Sequence, residues 1–249
     1  MNKNKLRLLA ASVAAFTVVA GIAAFFTGED AVTNAFQAST LSIKITEPSW
    51  DPEPTIVPEQ EVDKDPYITN TDKTPAYVFM EVTVPAVEVT VEKASPDLDK
   101  GSEAVTDIVP LFRFVNSEEE YVTDPDSPDQ KINKGWYPMP GYPVANKEKG
   151  SEDDSIDEAL KKTVSYTYLY AYTGADDNTT DTMAVLSPDK TTEVSLFNKV
   201  RFVNAREDEE LSGSRQLIEI KAYGIQTEHL SSFGVTETKA ERIWALLGE

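Results

Sequence analysis

Carboxylates are the residues this chain has in quantity for doing chemistry. It carries 43 Asp and Glu against 23 Lys and Arg, one histidine and no cysteine. Two clusters, Asp124-Pro-Asp126-Ser-Pro-Asp129 and Asp176-Asp177-Asn178 with Asp181, could offer oxygen ligands to calcium. Neither has the spacing of an EF-hand loop, and solvated turns are the commoner use of such runs. Paired carboxylates could also hydrolyse a glycosidic bond, but no pair stands out from the rest. The single imidazole, His229, cannot build a His-Glu-x-x-His zinc site. As the base of a serine triad it would sit between Glu228 and Leu230, just past a strand end, with no Gly-x-Ser-x-Gly elbow before it. It reads as a surface histidine. Without cysteine there is no thiol nucleophile and no disulfide scaffold. No glycine-rich phosphate loop is present. The expectation is a non-enzyme without a cofactor, calcium in the acidic loops being the one exception.

The N-terminus defines the setting. Lys3, Lys5 and Arg7 precede a mostly apolar run, Leu8 to Ala24, which ends in the small pair Ala23-Ala24. That is the pattern of an export signal, residues 1–24, cut before Phe25. The run is also about the minimum length of a membrane span, so an uncleaved anchor is the alternative. The chain then contacts a membrane only through the uncleaved signal and is expected to be secreted, in the extracellular matrix or at the cell surface. Loss of the leader leaves 225 residues, with 20 basic against 43 acidic and a net charge of −23. Such a surface repels nucleic acid and anionic lipid.

The remaining chain reads as strands and loops. Leu41, Ile43 and Ile45 alternate with polar residues over Thr40 to Thr46. Pro48, Pro52, Pro54 and Pro58 make residues 47–63 an extended connector. A short strand begins at Tyr67. Ala76 to Glu92 is the strongest strand signal, and its apolar parity changes at Pro85, which predicts a bulge or bend there. Ile108 to Val115 is a further strand, and residues 116–162 form a region of acidic, proline-rich loops. Thr163 to Tyr172 places Tyr166, Tyr168, Tyr170 and Tyr172 on one face, a packed sheet face in preference to a carbohydrate platform. Arg215 to Thr227 is another strand, loosened near its end by Gly224. From Ser232 the period becomes helical, and Thr238 with Glu241 would form a capping box. About eight strands and one short C-terminal helix predict an all-β fold: an antiparallel sandwich of the jelly-roll or Greek-key kind.

Several stretches together carry a resemblance. They are Ala23-Ala24-Phe25-Phe26-Thr27, Asn34-Ala35-Phe36, Leu41-Ser42-Ile43, Glu47-Pro48-Ser49-Trp50-Asp51, and Lys64-Asp65-Pro66-Tyr67-Ile68-Thr69-Asn70-Thr71. Further along come Ala76-Tyr77-Val78, Gly135-Trp136-Tyr137, Tyr168-Leu169-Tyr170-Ala171-Tyr172, Leu196-Phe197-Asn198-Lys199-Val200 and Ala222-Tyr223-Gly224-Ile225-Gln226. In this order they resemble the TasA/camelysin family (CalY) of secreted matrix proteins of Gram-positive bacteria. Gly28, Asp72 and residues 116–162 depart from the pattern.

The resemblance implies a jelly-roll domain, residues 39–249, that polymerises into biofilm-matrix fibres by donor-strand exchange. A signal peptidase of the SipW type would cut at Ala23, Ala24 and Phe25. Residues 25–38 would then fill a strand slot in a second copy or in a paralogous subunit, with Phe25, Phe26, Val32 and Phe36 as anchors. Burying each anchor gains roughly 1.5–3 kcal/mol. Ordering about 12 residues costs roughly 1–2 kcal/mol each, and ladder hydrogen bonds return about 1 kcal/mol apiece. The terms nearly cancel, so the segment orders only in a matching groove. Two rival readings remain: a camelysin-like surface metallopeptidase, and a monomeric adhesin or glycan-binding module using the Trp136–Tyr142 loop.

Overall fold

The computed structural model describes residues 41–50, 59–94, 102–148, 162–204, 217–232 and 238–247. The leader, residues 25–38, the expected cleavage site and all four anchors lie outside these residues. Residues 155–161 of the one helical turn that the charged run Ser155 to Lys162 could form also lie outside them.

The fold is all-β with antiparallel sheets. The larger sheet has the order β11 (Glu219–Gln226), β4 (Ala76–Ala94), β9 (Thr163–Tyr172), β7 (Trp136–Pro138), with β8 (Val144–Lys147) also on β9. Opposite it lie β1 (Ile43–Thr46) paired with β3 (Tyr67–Asn70), and a three-stranded sheet in the order β2 (Glu61–Asp63), β10 (Lys199–Phe202), β6 (Phe112–Val115). Ile43, Ile45 and Ile68 from the first pair, and Phe112, Phe114 and Val200 from the second sheet, meet Val78, Met80, Val82, Tyr168, Tyr170, Ile220 and Ala222 of the larger sheet in one buried cluster. Phe114 stacks on Phe197 at 4.1 Å within it.

β4 explains the parity change at Pro85. Up to that residue it pairs with β9 and β11, Pro85 facing Ser165. From Ala86 onward it pairs with β5 (Ser102–Pro110). The proline sits where the strand leaves one neighbour for another, a place where its missing N–H costs no ladder bond. The buried positions change accordingly from Val78, Met80, Val82 and Val84 to Val89 and Val91.

Four expectations need correction. The single strand expected over Ile108 to Val115 is two, since β5 ends at Pro110 on β4 and β6 begins at Phe112 on β10 in the opposite sheet. The connector expected over residues 47–63 ends in β2, which pairs with β10. The region 116–162 is not loop throughout, because β7 and β8 form within it as the partners of β9. The C-terminal helix is present as α2 (Ala240–Ala245), but Lys239 is its N-cap and no side chain caps it, so Thr238 and Glu241 do not form the expected box. A helix of the same length, α1 (Thr227–Ser232), follows β11. Ala240 and Ile243 of α2 bury against Phe79, Leu169 and Ala171 on the far face of the larger sheet, and Trp244 meets Phe79 edge-on at 5.1 Å. This second cluster is why β4 and β9 are apolar on both parities over 77–80 and 168–172. Among the described residues no helix is long and apolar enough to cross a membrane.

Candidate functional site

A strand edge carries backbone groups that can pair with another chain. In an antiparallel ladder alternate residues bond the same neighbour, and the residues between them turn N–H and C=O the other way. The Thr71 N–H donates to the Ser42 carbonyl at 2.9 Å, and Lys44 lies opposite Thr69. So Ser42, Lys44 and Thr46 bond β3, while Ile43 and Ile45 turn their backbone groups outward. On β11 the Thr227 N–H donates to the Pro75 carbonyl at 3.0 Å, which sets the alternation in register with β4. There Ile220, Ala222 and Gly224 turn outward. Among the described residues no strand pairs with either outer edge.

These two edges are neighbours. Leu41 and Ile43 lie over Gly224, and a Cβ at that position would collide with Leu41 Cδ2. Gly224 is therefore a site of close approach between β1 and β11. Ile43, Ile45, Ile220 and Ala222 are all buried, so the outward backbone groups border the apolar core.

The chain is pinned as it leaves β1. Lys64 Nζ lies 2.6 Å from Glu47 Oε1, and both side chains are less than a tenth exposed. The same ammonium sits 4.2 Å above the Trp50 ring. The Ser49 N–H and Oγ donate to Asp65 Oδ1 and Oδ2 at 2.8 and 2.9 Å. Two sequence motifs, Glu47-Pro-Ser-Trp and Lys64-Asp-Pro, thus form one clamp between β1 and β3.

The acidic loops have internal work. Arg113 on β6 is 2 % exposed, and its guanidinium is ringed by carbonyls. Nη1 donates to Ser127 O (2.6 Å) and Asp129 O (3.3 Å), and Nη2 to Asp124 O (3.1 Å) and Pro125 O (2.6 Å). Burial lowers the Arg113 pKa, opposed by Tyr168 and by Asp124, Asp126 and Asp129. The carbonyl oxygens of the 124–129 loop therefore already face a cation supplied by the chain itself. In the second cluster, Asp177 Oδ1 accepts from the Thr179 and Thr180 N–H groups at 3.0 and 3.2 Å. Those backbone bonds hold its carboxyl below the usual range. Asn178 Nδ2 donates to Asn133 O and Trp136 O, and Asp181 pairs with Lys239 at 3.0 Å. Among the described residues no group of three or more His, Asp and Glu is placed to hold a metal ion.

The remaining candidates fall as follows. His229 lies on α1. Tyr168, Tyr170 and Tyr172 are buried, so the tyrosine face is a packed one. Trp136 is fully buried, donates its Nε1–H to Val194 O at 3.2 Å and meets Tyr172 edge-on at 5.4 Å. It is not available to a glycan; Tyr137 and Tyr142 of the same loop are half-buried. Sequence reasoning missed Arg113 and Gln130. The available signal was a lone arginine inside the apolar run 108–115, which must find acceptors if that strand is buried.

No family model, no curated protein and no solved structure matches this chain.

Proposed function

We propose that this chain is a secreted structural subunit of an extracellular matrix or surface fibre, with a mechanical and not a catalytic role. In this reading residues 1–24 are removed at Ala23-Ala24-Phe25 by a signal peptidase of the SipW type. Residues 25–38 then act as a donor strand for the β-sandwich, of jelly-roll type, of a second copy or a paralogous subunit. The observation that supports it is the pair of adjoining outer edges on β1 and β11, each without a described partner strand and each bordering the buried core. Strand addition needs such an edge: main-chain groups give affinity and apolar side chains give register. Phe25, Phe26, Val32 and Phe36 are the anchors such a slot would take. A net charge of −23 on the cut chain opposes association, and acid relieves it by protonating carboxylates.

N-terminal sequencing of the secreted protein, followed by electron microscopy from neutral to acid pH, tests the reading. The expected result is a start at or next to Phe25 and fibres that disappear when residues 25–36 are deleted. A mature chain that stays monomeric at every pH, with or without those residues, ends it.

A further inference from the structure

We propose that Glu47 and Lys64 form a covalent cross-linking site, their side chains condensing to a secondary amide with release of one water. The inference does not depend on the fibre reading. It starts from one oxygen. Glu47 Oε1 is buried and accepts no hydrogen bond, although Lys64 Nζ lies 2.6 Å away. A lysine and a carboxylate this close ordinarily make a charge-assisted hydrogen bond. Here the nitrogen is pressed against the carboxyl group without making one, and reaction between two groups needs contact of this kind.

The surroundings favour the amide over the ion pair. Both side chains are less than a tenth exposed, and charges taken out of water are costly. An amide removes both charges. Lys64 Nζ lies 4.2 Å from the centre of the Trp50 ring, which covers one side of the pair. Water, the leaving product and the agent of the reverse reaction, is kept away. The backbone on each side is held as well. The Trp50 N–H donates to Glu47 O at 3.2 Å, and the Lys64 N–H donates to Asn198 O at 3.0 Å. Groups fixed in contact react with effective molarities of roughly 10⁵–10⁸ M, which lets a condensation proceed in a protein. The neighbouring carboxylate is no competitor, because Asp65 Oδ1 and Oδ2 already accept from the Ser49 N–H and Oγ–H.

The step balances without an oxidant or reductant. The ammonium passes one proton to the carboxylate, giving the amine and the carboxylic acid, the neutral forms that burial favours. The Nζ lone pair bonds to Glu47 Cδ while the carbonyl electron pair moves to oxygen. As the carbonyl re-forms, the hydroxyl leaves with a proton from the nitrogen, as water. One C–N bond forms and one C–O bond breaks. The product joins the exit of β1 to the entrance of β3 and closes residues 47–64 into a covalent ring.

The test incubates the folded full chain at neutral pH, unfolds it, digests it with a lysine-specific protease and weighs the peptides. Lys44, Lys64 and Lys73 are the cutting sites around the pair. The expected product is residues 45–73 uncut after Lys64 and lighter by one water, about 18 Da. Its fragmentation spectrum should hold no ions from breaks between 47 and 64, which distinguishes a ring from a missed cut or from dehydration at another residue. In Glu47→Ala the same digest should give residues 45–64 and 65–73 separately, with no loss of water. The proposal is overturned if the parent chain itself yields those two peptides at full mass. It is equally overturned if the ring persists in Glu47→Ala, since Lys64 would then be joined to another residue.

Discussion

The edge of β6 and the adjoining edges of β1 and β11 handle the same problem in opposite ways. At β6, outward N–H and C=O groups are taken by a side-chain amide on a loop that a buried guanidinium pins. At β1 and β11, Ile43, Ile45, Ile220, Ala222 and Gly224 turn backbone groups outward, and among the described residues no strand pairs with them. An edge strand is a template for another chain unless something blocks it. The chain spends an arginine, a glutamine and a tyrosine on closing one edge. At the other it uses apolar residues and a glycine that draw β1 and β11 together. Under the proposed reading, strand addition would then take a direction, with the β1 and β11 side as the acceptor and the β6 side blocked.

The largest effect expected is at the pin of the closed edge. Arg113→Ala leaves four carbonyls without their donor and should lower the unfolding free energy by roughly 3–5 kcal/mol, read from urea melts. A loss below about 1 kcal/mol would show that the loop closes the edge without its cation.

Next comes the clamp behind the open edge. Lys64→Met leaves the Glu47 carboxylate buried without its partner, with an expected loss of roughly 3 kcal/mol. Adding Glu47→Gln should return much of that loss, since the uncompensated charge is then gone. Equal losses in the single and double variants would mean that packing around Trp50, and not charge, holds the clamp.

Gly224→Ala tests how tightly the two open strands approach. The new Cβ meets Leu41, and overpacking of this kind costs roughly 1–3 kcal/mol. A neutral result by thermal melting would separate β1 from β11 and remove the argument that their edges adjoin.

The smallest effect separates the edges by pH. Burial, then Glu81, raises the Tyr223 hydroxyl to about 12, and burial also raises Tyr168, Tyr170 and Tyr172. An unfolded tyrosine titrates near pH 10. Below that pH both states keep the proton and the stabilisation is complete. Above it the unfolded chain loses protons first, so stability falls as pH rises through the folded values. Denaturation midpoints should therefore decline above pH 10. Tyr168→Phe should cost about 1 kcal/mol at neutral pH, flatten part of that decline and loosen both Gln130 and the Pro128 carbonyl that the hydroxyl bonds. An unchanged slope would place the alkaline weakness elsewhere.

Much of the fold was legible in the chain. The alternation in 40–46, 76–92, 163–172 and 215–227 became β1, β4, β9 and β11, because period-two patterning is a local record of which face is buried. The parity change at Pro85 likewise marked a real change of neighbour. The one strand expected over 108–115 divides into β5, which begins earlier, and β6, which joins the other sheet, and β2, β7 and β8 were not foreseen, because short segments take strand form only when a partner completes their hydrogen bonds. The Thr238 capping box gave way to Lys239, since the backbone before α2 is committed to bonds with 181–183. The candidate site was the less legible part. The tyrosine stripe was rightly read as packing, but Trp136 could not be seen to be buried, nor Gln130 to be a plug.

By itself the sequence determined the all-β class, the acidic composition and the limit of one histidine and no cysteine, because composition and periodicity act residue by residue. Only the tertiary structure decided which strand edges are closed. That depends on residues far apart in the chain arriving at the same hydrogen bonds. Gln130 reaches Phe112 and Phe114, Lys64 reaches Glu47, and Leu41 comes to rest on Gly224. Donors and acceptors on a strand edge are identical at every position, so what occupies them is set by three-dimensional neighbourhood and not by local pattern.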